Sequence, residues 1–492
     1  MDKAVNEKAM PGFAPPPLTD SEKNVIIGGV LLSMLLAALD QTIVAPAMPT
    51  IGRALGHADY LPWIVTGYLL TATAMAPLYG KISDIYGRRP TIFAAVLIFL
   101  AGSLVSAIAP NMLVLVVGRA IQGLGGGGLF TMAQTVIGDL VPPFERARYA
   151  ALISGTWAVA AIAGPLLGGT FAEHLHWSLI FWINIPLGLV ALAIINNPLR
   201  KLHAVARDHR IDGWGALLLV VATSLLLLAL NWGGSAYAWA SPEILGLLAA
   251  SAVFWAAFGL RLLRAAEPLI SLEVLGNPIV LAGTLSMFLL QAANVGMAVY
   301  LPVYLQSVLG LSASASGIGM LGLLLGTVAG AGLSGRMIPR FVHYKRIAML
   351  GSLFSMVCLV PLALVAEHAS LILVEVLTVC VGIGTGMAFP VSTISVQNAV
   401  DKAHLGVATG VLTFLRTLGS ALGVAMLGTI ALGYGLPLGG EAVEMSGHAA
   451  SATPFAMIFF ACAATMLVSL VMLALMPEKP LRGRDPVPVI AE

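Results

Sequence analysis

Two ionisable side chains lie where hydrocarbon is expected: Asp40, inside an apolar run that begins near residue 24, and Arg119, inside the run from Asn111 to Gly138. A guanidinium in hydrocarbon costs a few kcal/mol on insertion scales, so it faces either a wet cavity or an opposite charge. Asp40 lies nine residues before Pro49 and Arg119 eight after Asn111, both of which mark the same membrane face. At ~1.5 Å per residue the two sit roughly 12 to 14 Å deep and can meet. Burial favours the protonated carboxylate and the guanidinium favours the ionised one, so a change of solvation or a charged substrate can tip the balance. That is the chemistry of proton coupling, with a static charge pair for helix packing as the alternative. Further along, Glu375 is shallow enough to be interfacial, while Arg416 is deep and has no partner that the sequence names.

The elements that position these groups follow from composition. The chain has 492 residues, 59% hydrophobic and 10% charged, with a mean hydropathy of +0.94. A soluble domain carries roughly 25% charged residues, so this is a polytopic membrane protein. Windows of about 20 apolar residues, enough to span a bilayer, begin near 24, 62, 90, 111, 148, 177, 213, 243, 277, 315, 346, 370, 404 and 454, which makes fourteen spans. The first 23 residues are polar and lack a short apolar core, so no cleaved leader is expected. Cys358, Cys380 and Cys462 all fall in apolar runs, which argues against a disulfide framework or a thiolate metal site.

Orientation follows from the basic residues. With both termini cytoplasmic, every Lys and Arg except Arg53, Arg119 and Arg416 falls in a cytoplasmic segment. These short, scattered loops read as topology signals and not as a nucleic-acid groove.

Gly123, Gly125, Gly127 and Phe130 recur at the same spacing as Gly382, Gly384, Gly386 and Phe389, and Gly155, Gly164 and Gly168 recur as Gly410, Gly419 and Gly423. Two consecutive spans matching in order point to duplication of a six-helix unit. The expected architecture is all-α: a cytoplasmic tail over 1–23, a six-helix bundle over 24–197, linkers and an inserted helix pair over 198–276 (213–232 and 243–263), a second bundle over 277–476 and a tail over 477–492. The sequence gives the inserted pair no role beyond packing on the bundle periphery, and nothing in it fixes an oligomeric state.

Several stretches carry a family resemblance. The loop Gly80-Lys81-Ile82-Ser83-Asp84-Ile85-Tyr86-Gly87-Arg88-Arg89 resembles the signature loop of the major facilitator superfamily. Its Asp84 can accept from helix N-terminal amides and pair with a nearby arginine, a latch for one side of an alternating-access cycle. Arg119-Ala120-Ile121-Gln122-Gly123-Leu124-Gly125 is similar to the family's fourth-span motif, and Gly155 with Gly164-Pro165-Leu166-Leu167-Gly168-Gly169 to the fifth-span antiporter motif. Leu39-Asp40-Gln41-Thr42-Ile43-Val44 and Phe181-Trp182-Ile183-Asn184-Ile185-Pro186-Leu187-Gly188 resemble stretches of the fourteen-helix drug:proton antiporters. The resemblance implies two pseudo-symmetric bundles around a mid-membrane site.

On that resemblance, Asp40 and Arg119 couple to protons, while Gly80, Asp84, Gly87, Arg88 and Arg89 form the latch. Gly155, Gly164, Pro165, Gly168 and Gly169 form a bendable, closely packed seam. Pro46, ahead of Pro49, departs from the commonest pattern, so the outer end of the first span is expected to be irregular. Gln41, Gln122, Gln291, Asn294, Tyr300, Glu375 and Arg416 are candidates for lining a cavity, with ordinary interhelical hydrogen bonding as the alternative.

Other classes fit less well. Glu173-His174-Leu175-His176 is the nearest approach to a metal cluster and reads as a solvated loop; there is no metalloprotease helix motif and no phosphate-binding loop. No enzyme, metal, cofactor or ATP is expected, which leaves the proton as coupling ion. The expected function is proton-coupled export, across the inner membrane, of hydrophobic or amphipathic compounds, cationic on the strength of Asp40 and Glu375. Arg119 and Arg416 keep an anionic or lipid-like substrate open. A receptor or scaffold would leave the repeat, the buried charges and the latch loop without a purpose.

Overall fold

In the computed structural model the described residues are 19–56, 60–201, 212–234, 236–436 and 452–481. The segments holding Lys3, Lys8, Arg207, Arg210, Arg482 and Arg484 lie outside them, as do the expected tails except for residues 19–23 and 477–481. Apolar runs too long for a soluble helix become helices because hydrocarbon offers backbone groups no other partner. In chain order the first half comprises α1 (Asp20–Leu55), α2 (Leu61–Tyr86), α3 (Arg88–Ala107), α4 (Met112–Leu140), α5 (Pro143–His174), α6 (Leu179–Trp182) and α7 (Asn184–Asn196). The inserted pair is α8 (Gly213–Trp232) and α9 (Pro242–Arg264), followed by the short α10 (Leu272–Gly276). The second half comprises α11 (Pro278–Ser307), α12 (Ala313–Met337), α13 (Lys345–Leu364), α14 (Leu371–Ala399), α15 (Leu405–Gly433) and α16 (Thr453–Leu475).

Among the described residues thirteen segments are long and apolar enough to cross a membrane, α6 and α7 together counting as one. The fourteenth span, α2, has 26 residues and packs between α4 and α15.

One expectation changes. Helix α1 runs unbroken through Pro46 and Pro49 to Leu55. Proline removes a donor without forcing a break where neighbours hold the segment, and here Ala47 and Ile51 are fully buried. The sixth span runs from Leu179 to Asn196, with Ile183 between α6 and α7 still right-handed helical and its N–H donating to the Leu179 carbonyl.

The duplication is visible in how the glycines pack. A Cβ on Gly123 or Gly127 would strike the α2 backbone at Tyr68 and Ala72, and one on Gly125 would strike α3 at Ala95 and Phe99. In the second half Gly382 and Gly386 meet α12 at Leu323 and Thr327, and Gly384 meets α13 at Gly351 and Ser355. Likewise Gly164 and Gly168 of α5 press on Thr42 and Ile43 of α1, as Gly419 and Gly423 of α15 press on Phe288 and Ala292 of α11. Small residues are how membrane helices gain van der Waals contact where no hydrophobic force drives association. Each half therefore forms its own apolar core.

The inserted pair is not peripheral to one bundle. Leu219 and Leu227 of α8 and Phe258 of α9 join the core of the second half, yet α8 lies against both α2 and α15. Trp232 meets Trp63 of α2 edge to face at 5.5 Å, and Trp255 of α9 meets Phe414 of α15 at 6.1 Å. The pair thus covers the line where α2 and α15 run side by side.

Candidate functional site

Asp40 and Arg119 meet, and the site forms around them inside the first half. Arg119 Nη1 donates to Asp40 Oδ2 at 2.5 Å and to Gln122 Oε1 at 2.7 Å, while its Nε donates to the Ile64 carbonyl at 3.0 Å. The second Asp40 oxygen accepts from Gln122 Nε2 at 2.7 Å and from Asn184 Nδ2 at 3.1 Å. Asn184 also donates to Ser103 Oγ, which in turn donates to the Phe181 carbonyl. The guanidinium lies over the Tyr68 ring at 4.6 Å and is 5.8 Å from that of Phe181. Asp40 is 0% and Arg119 1% exposed.

Six helices, α1 to α4 with α6 and α7, bring these groups together. Gly102 of α3 lets α4 approach so closely that a Cβ there would meet the Gln122 backbone. Asn184 stands at the start of α7, facing α1 and α3. Removing either charge from such a cluster strands the other in low dielectric. Protonating Asp40 removes the counter-charge and leaves Arg119 to the neutral oxygens of Gln122 and Ile64.

A second cluster closes the basic end of the molecule. Asp84 at the end of α2 accepts from the backbone amides of Gly406 and Val407, at 3.0 and 2.9 Å, in the first turn of α15. Those free amides and the helix dipole make a helix N-terminus a natural seat for a carboxylate. Arg88 bridges Asp84 and Asp139, at 2.5 and 2.6 Å, and also donates to Ser83 Oγ. Gly80 allows the approach, since a Cβ there would enter the backbone of Gly406. Gly87 turns the chain between α2 and α3 at φ +92°, a conformation that favours glycine. Nearby, Gln397 of α14 donates to the Gln134 carbonyl of α4 and to Thr409 Oγ1, and accepts from Arg146 of α5. Hydrogen bonds thus join the two halves at this end.

Comparison with known proteins agrees with this architecture. The model of the Major Facilitator Superfamily matches residues 30–424. The chain belongs to that superfamily. It is 33% identical over 421 residues to an uncharacterized MFS-type transporter of Mycobacterium tuberculosis, a match that takes in 85% of this chain and 61% of that protein. It is 32% identical over 410 residues, 83% of this chain and 80% of the other, to multidrug resistance protein 3 of Bacillus subtilis. These relatives are consistent with the fourteen-helix drug-exporter subgroup of the superfamily. The crystal structure of the human organic anion transporter MFSD10 shares the fold at a TM-score of 0.62 and 17% identity, covering 93% of this chain and all of that one. The superfamily is one of transporters and not of enzymes, and the chain spans 61% of the length of the Mycobacterium tuberculosis relative.

Within this superfamily fold the remaining candidates separate. Of the fifth-span motif, only Gly164 and Gly168 lie in the α1–α5 seam; a Cβ on Gly155 or Gly169 would meet nothing, and Pro165 is exposed on a helix that continues through it. Arg89 turns away from the latch, donating to Asn196 on α7 and lying 5.1 Å over Phe93. Gln122 belongs to the Asp40 cluster, and Tyr300 is buried with its hydroxyl on the Val424 carbonyl. Gln41 and Gln291 are half-buried, as is Asn294, which donates to Thr385. The Glu375 carboxylate lies against Gly319 and Gly322 of α12.

Arg416 is half-buried on α15, with its guanidinium carbon 6.0 Å from the Phe130 ring centroid of α4, so it faces the first half. Sequence reasoning did not assign Asn184, Ser103 or Asp139. The last was readable as an acid at the end of the fourth span; the other two are uncharged polar residues of a kind frequent in membrane helices.

Proposed function

We propose that the chain exports hydrophobic or amphipathic compounds across the inner membrane in exchange for protons, by alternating rocking of its two six-helix halves. The observation that carries the reading is the Asp40–Arg119 pair, a carboxylate with no exposure held by one guanidinium and two amide groups. A group so enclosed changes protonation only when helices move, which ties proton movement to conformation. The relatives named for multidrug resistance support the direction of transport. The basic end is cytoplasmic on the charge rule, so the bonds from Asp84 and Gln397 close the cytoplasmic side and both termini lie within the cell.

A cationic substrate was expected from Asp40 and Glu375. Asp40 lies inside the first half and Glu375 against α12; neither is the charge that faces the opposite half. The test of export is proton movement in proteoliposomes when an amphiphile is added, comparing wild type with Asp40→Asn. Coupled exchange in the wild type and its loss in a correctly inserted variant are expected. Equal exchange by the variant would remove Asp40 from the proton path, and a wild type that moves no protons with any amphiphile favours the receptor reading.

A further inference from the structure

Arg416 faces the first half across the seam without an acid partner among the described residues, and we propose that with Phe130 and Trp157 it anchors a substrate site for an aromatic amphiphile bearing a carboxylate. This rests on the export reading and adds the substrate class.

The floor of that seam is polar and closed: Gln397 spans from Gln134 of α4 to Thr409 of α15. Arg416 stands seven residues along α15 from Thr409, roughly 10 Å above the floor. Among the described residues no carboxylate pairs with it, whereas Arg119 holds a carboxylate, an amide oxygen and a carbonyl. One turn before it, Thr413 has a buried hydroxyl with no hydrogen-bond partner. Residues three apart share a helix face, so this face of α15 presents one unneutralised cation beside one unsatisfied hydroxyl.

Across the seam, Phe130 stacks on Trp157 of α5 with centroids 5.3 Å apart and planes 11° from parallel. The two rings form one apolar stack. At 6.0 Å the guanidinium is at the outer limit of a cation–π contact, which leaves its donors unused. A planar guanidinium binds carboxylate through two parallel hydrogen bonds, and an aromatic body lies against stacked rings. Both demands are met by one molecule: a flat apolar body with an anionic end. Expelling an anion for one proton taken up moves two charges in the direction that an inside-negative potential favours, whereas one-for-one exchange of a cation moves none.

The experiment uses three probes with one aromatic body: 1-pyrenebutyrate, 1-pyrenebutanol and pyrenylbutyl-trimethylammonium. Binding to the full chain in nanodiscs is measured by equilibrium dialysis against empty nanodiscs. Wild type is expected to bind the anion about tenfold tighter than the alcohol and to bind the cation least. Arg416→Gln should bring the anion to the level of the alcohol, and Arg416→Lys should keep part of the preference. A wild type that ranks the probes equally or prefers the cation overturns the proposal, as does an Arg416→Gln variant that keeps the full preference. If Arg416→Gln does not elute as a single folded species, the wild-type ranking and the Lys variant decide.

Proton exchange with the same probes separates the two readings. In proteoliposomes, exchange of 1-pyrenebutyrate that accelerates under an imposed potential of the favouring sign supports the anion site. Exchange with the cation alone overturns the site and leaves export standing. Exchange with none of the three overturns export, while the binding ranking still judges Arg416.

Discussion

Arg119 and Arg416 each stand on a helix that packs through glycines, and their surroundings differ in kind. Arg119 is enclosed by its own half, with a carboxylate, an amide oxygen and a backbone carbonyl around it. Arg416 reaches towards the other half and holds no acid among the described residues. The first arrangement is costly to break and shielded from substrate; the second lacks a counter-charge that a ligand can supply. Pseudo-symmetric halves have thus placed their buried cations in unequal roles, one inside a bundle and one between bundles.

The sharpest test of this contrast is stability. Arg119→Met leaves Asp40 as an uncompensated buried charge, and loss of about 3 to 5 kcal/mol is expected, read as a lower Tm and poor monodispersity in detergent. Arg416→Met removes a cation that has no acid partner among the described residues, and its stability should stay within about 1 kcal/mol of wild type or rise. A double variant, Asp40→Asn with Arg119→Met, should recover much of the first loss, since the cycle with the two single variants isolates the pair. Equal losses at both arginines would erase the distinction drawn between them.

The next largest effect concerns how the halves meet. Asp84→Ala deletes two charge-assisted bonds to α15 and one partner of Arg88. Bonds to charged groups contribute about 1.5 to 3 kcal/mol, so the closed basic end should open roughly tenfold to a hundredfold more often, as read from spin-label distances between α2 and α15. An unchanged distance distribution would show that Gln397 and the glycine approach close this end alone.

The smallest effects separate glycines that the sequence treats alike. Gly164→Ala should destabilise by about 1 to 3 kcal/mol, because its Cβ enters Thr42 of α1. Gly155→Ala meets open space and should be neutral or gain up to about 1 kcal/mol in helix propensity. Thermal shifts on the two variants decide whether the motif works as a unit or only through its packed members.

This contrast also marks what the sequence could tell. Pro49, used to place Asp40, does not end α1, which runs on to Leu55, whereas the depth of Arg119 was readable because Asn111 caps its helix and rise per residue is fixed. The partners Asn184 and Ser103 were not, since an uncharged polar residue does not announce which neighbour it faces. The spacing of Gly155 and Gly164 matched a motif, but spacing alone did not say that only the second lies in the seam. The position of the inserted helices depends on aromatic contacts between Trp63 and Trp232 and between Trp255 and Phe414, which join segments far apart in the chain. Local pattern carries no trace of such meetings.

The donors that receive Asp84 are peptide groups, which makes the clasp inherit unevenly. Any residue other than proline at position 407 offers the same N–H, so that codon can drift without loosening the contact. At positions 80 and 406, in contrast, the backbones approach too closely for any side chain, and at position 84 the carboxylate itself is the device. Lineages of this chain are therefore free to vary at position 407 and confined at 80, 84 and 406, and paired changes between residues 84 and 407 should leave no record in their descendants.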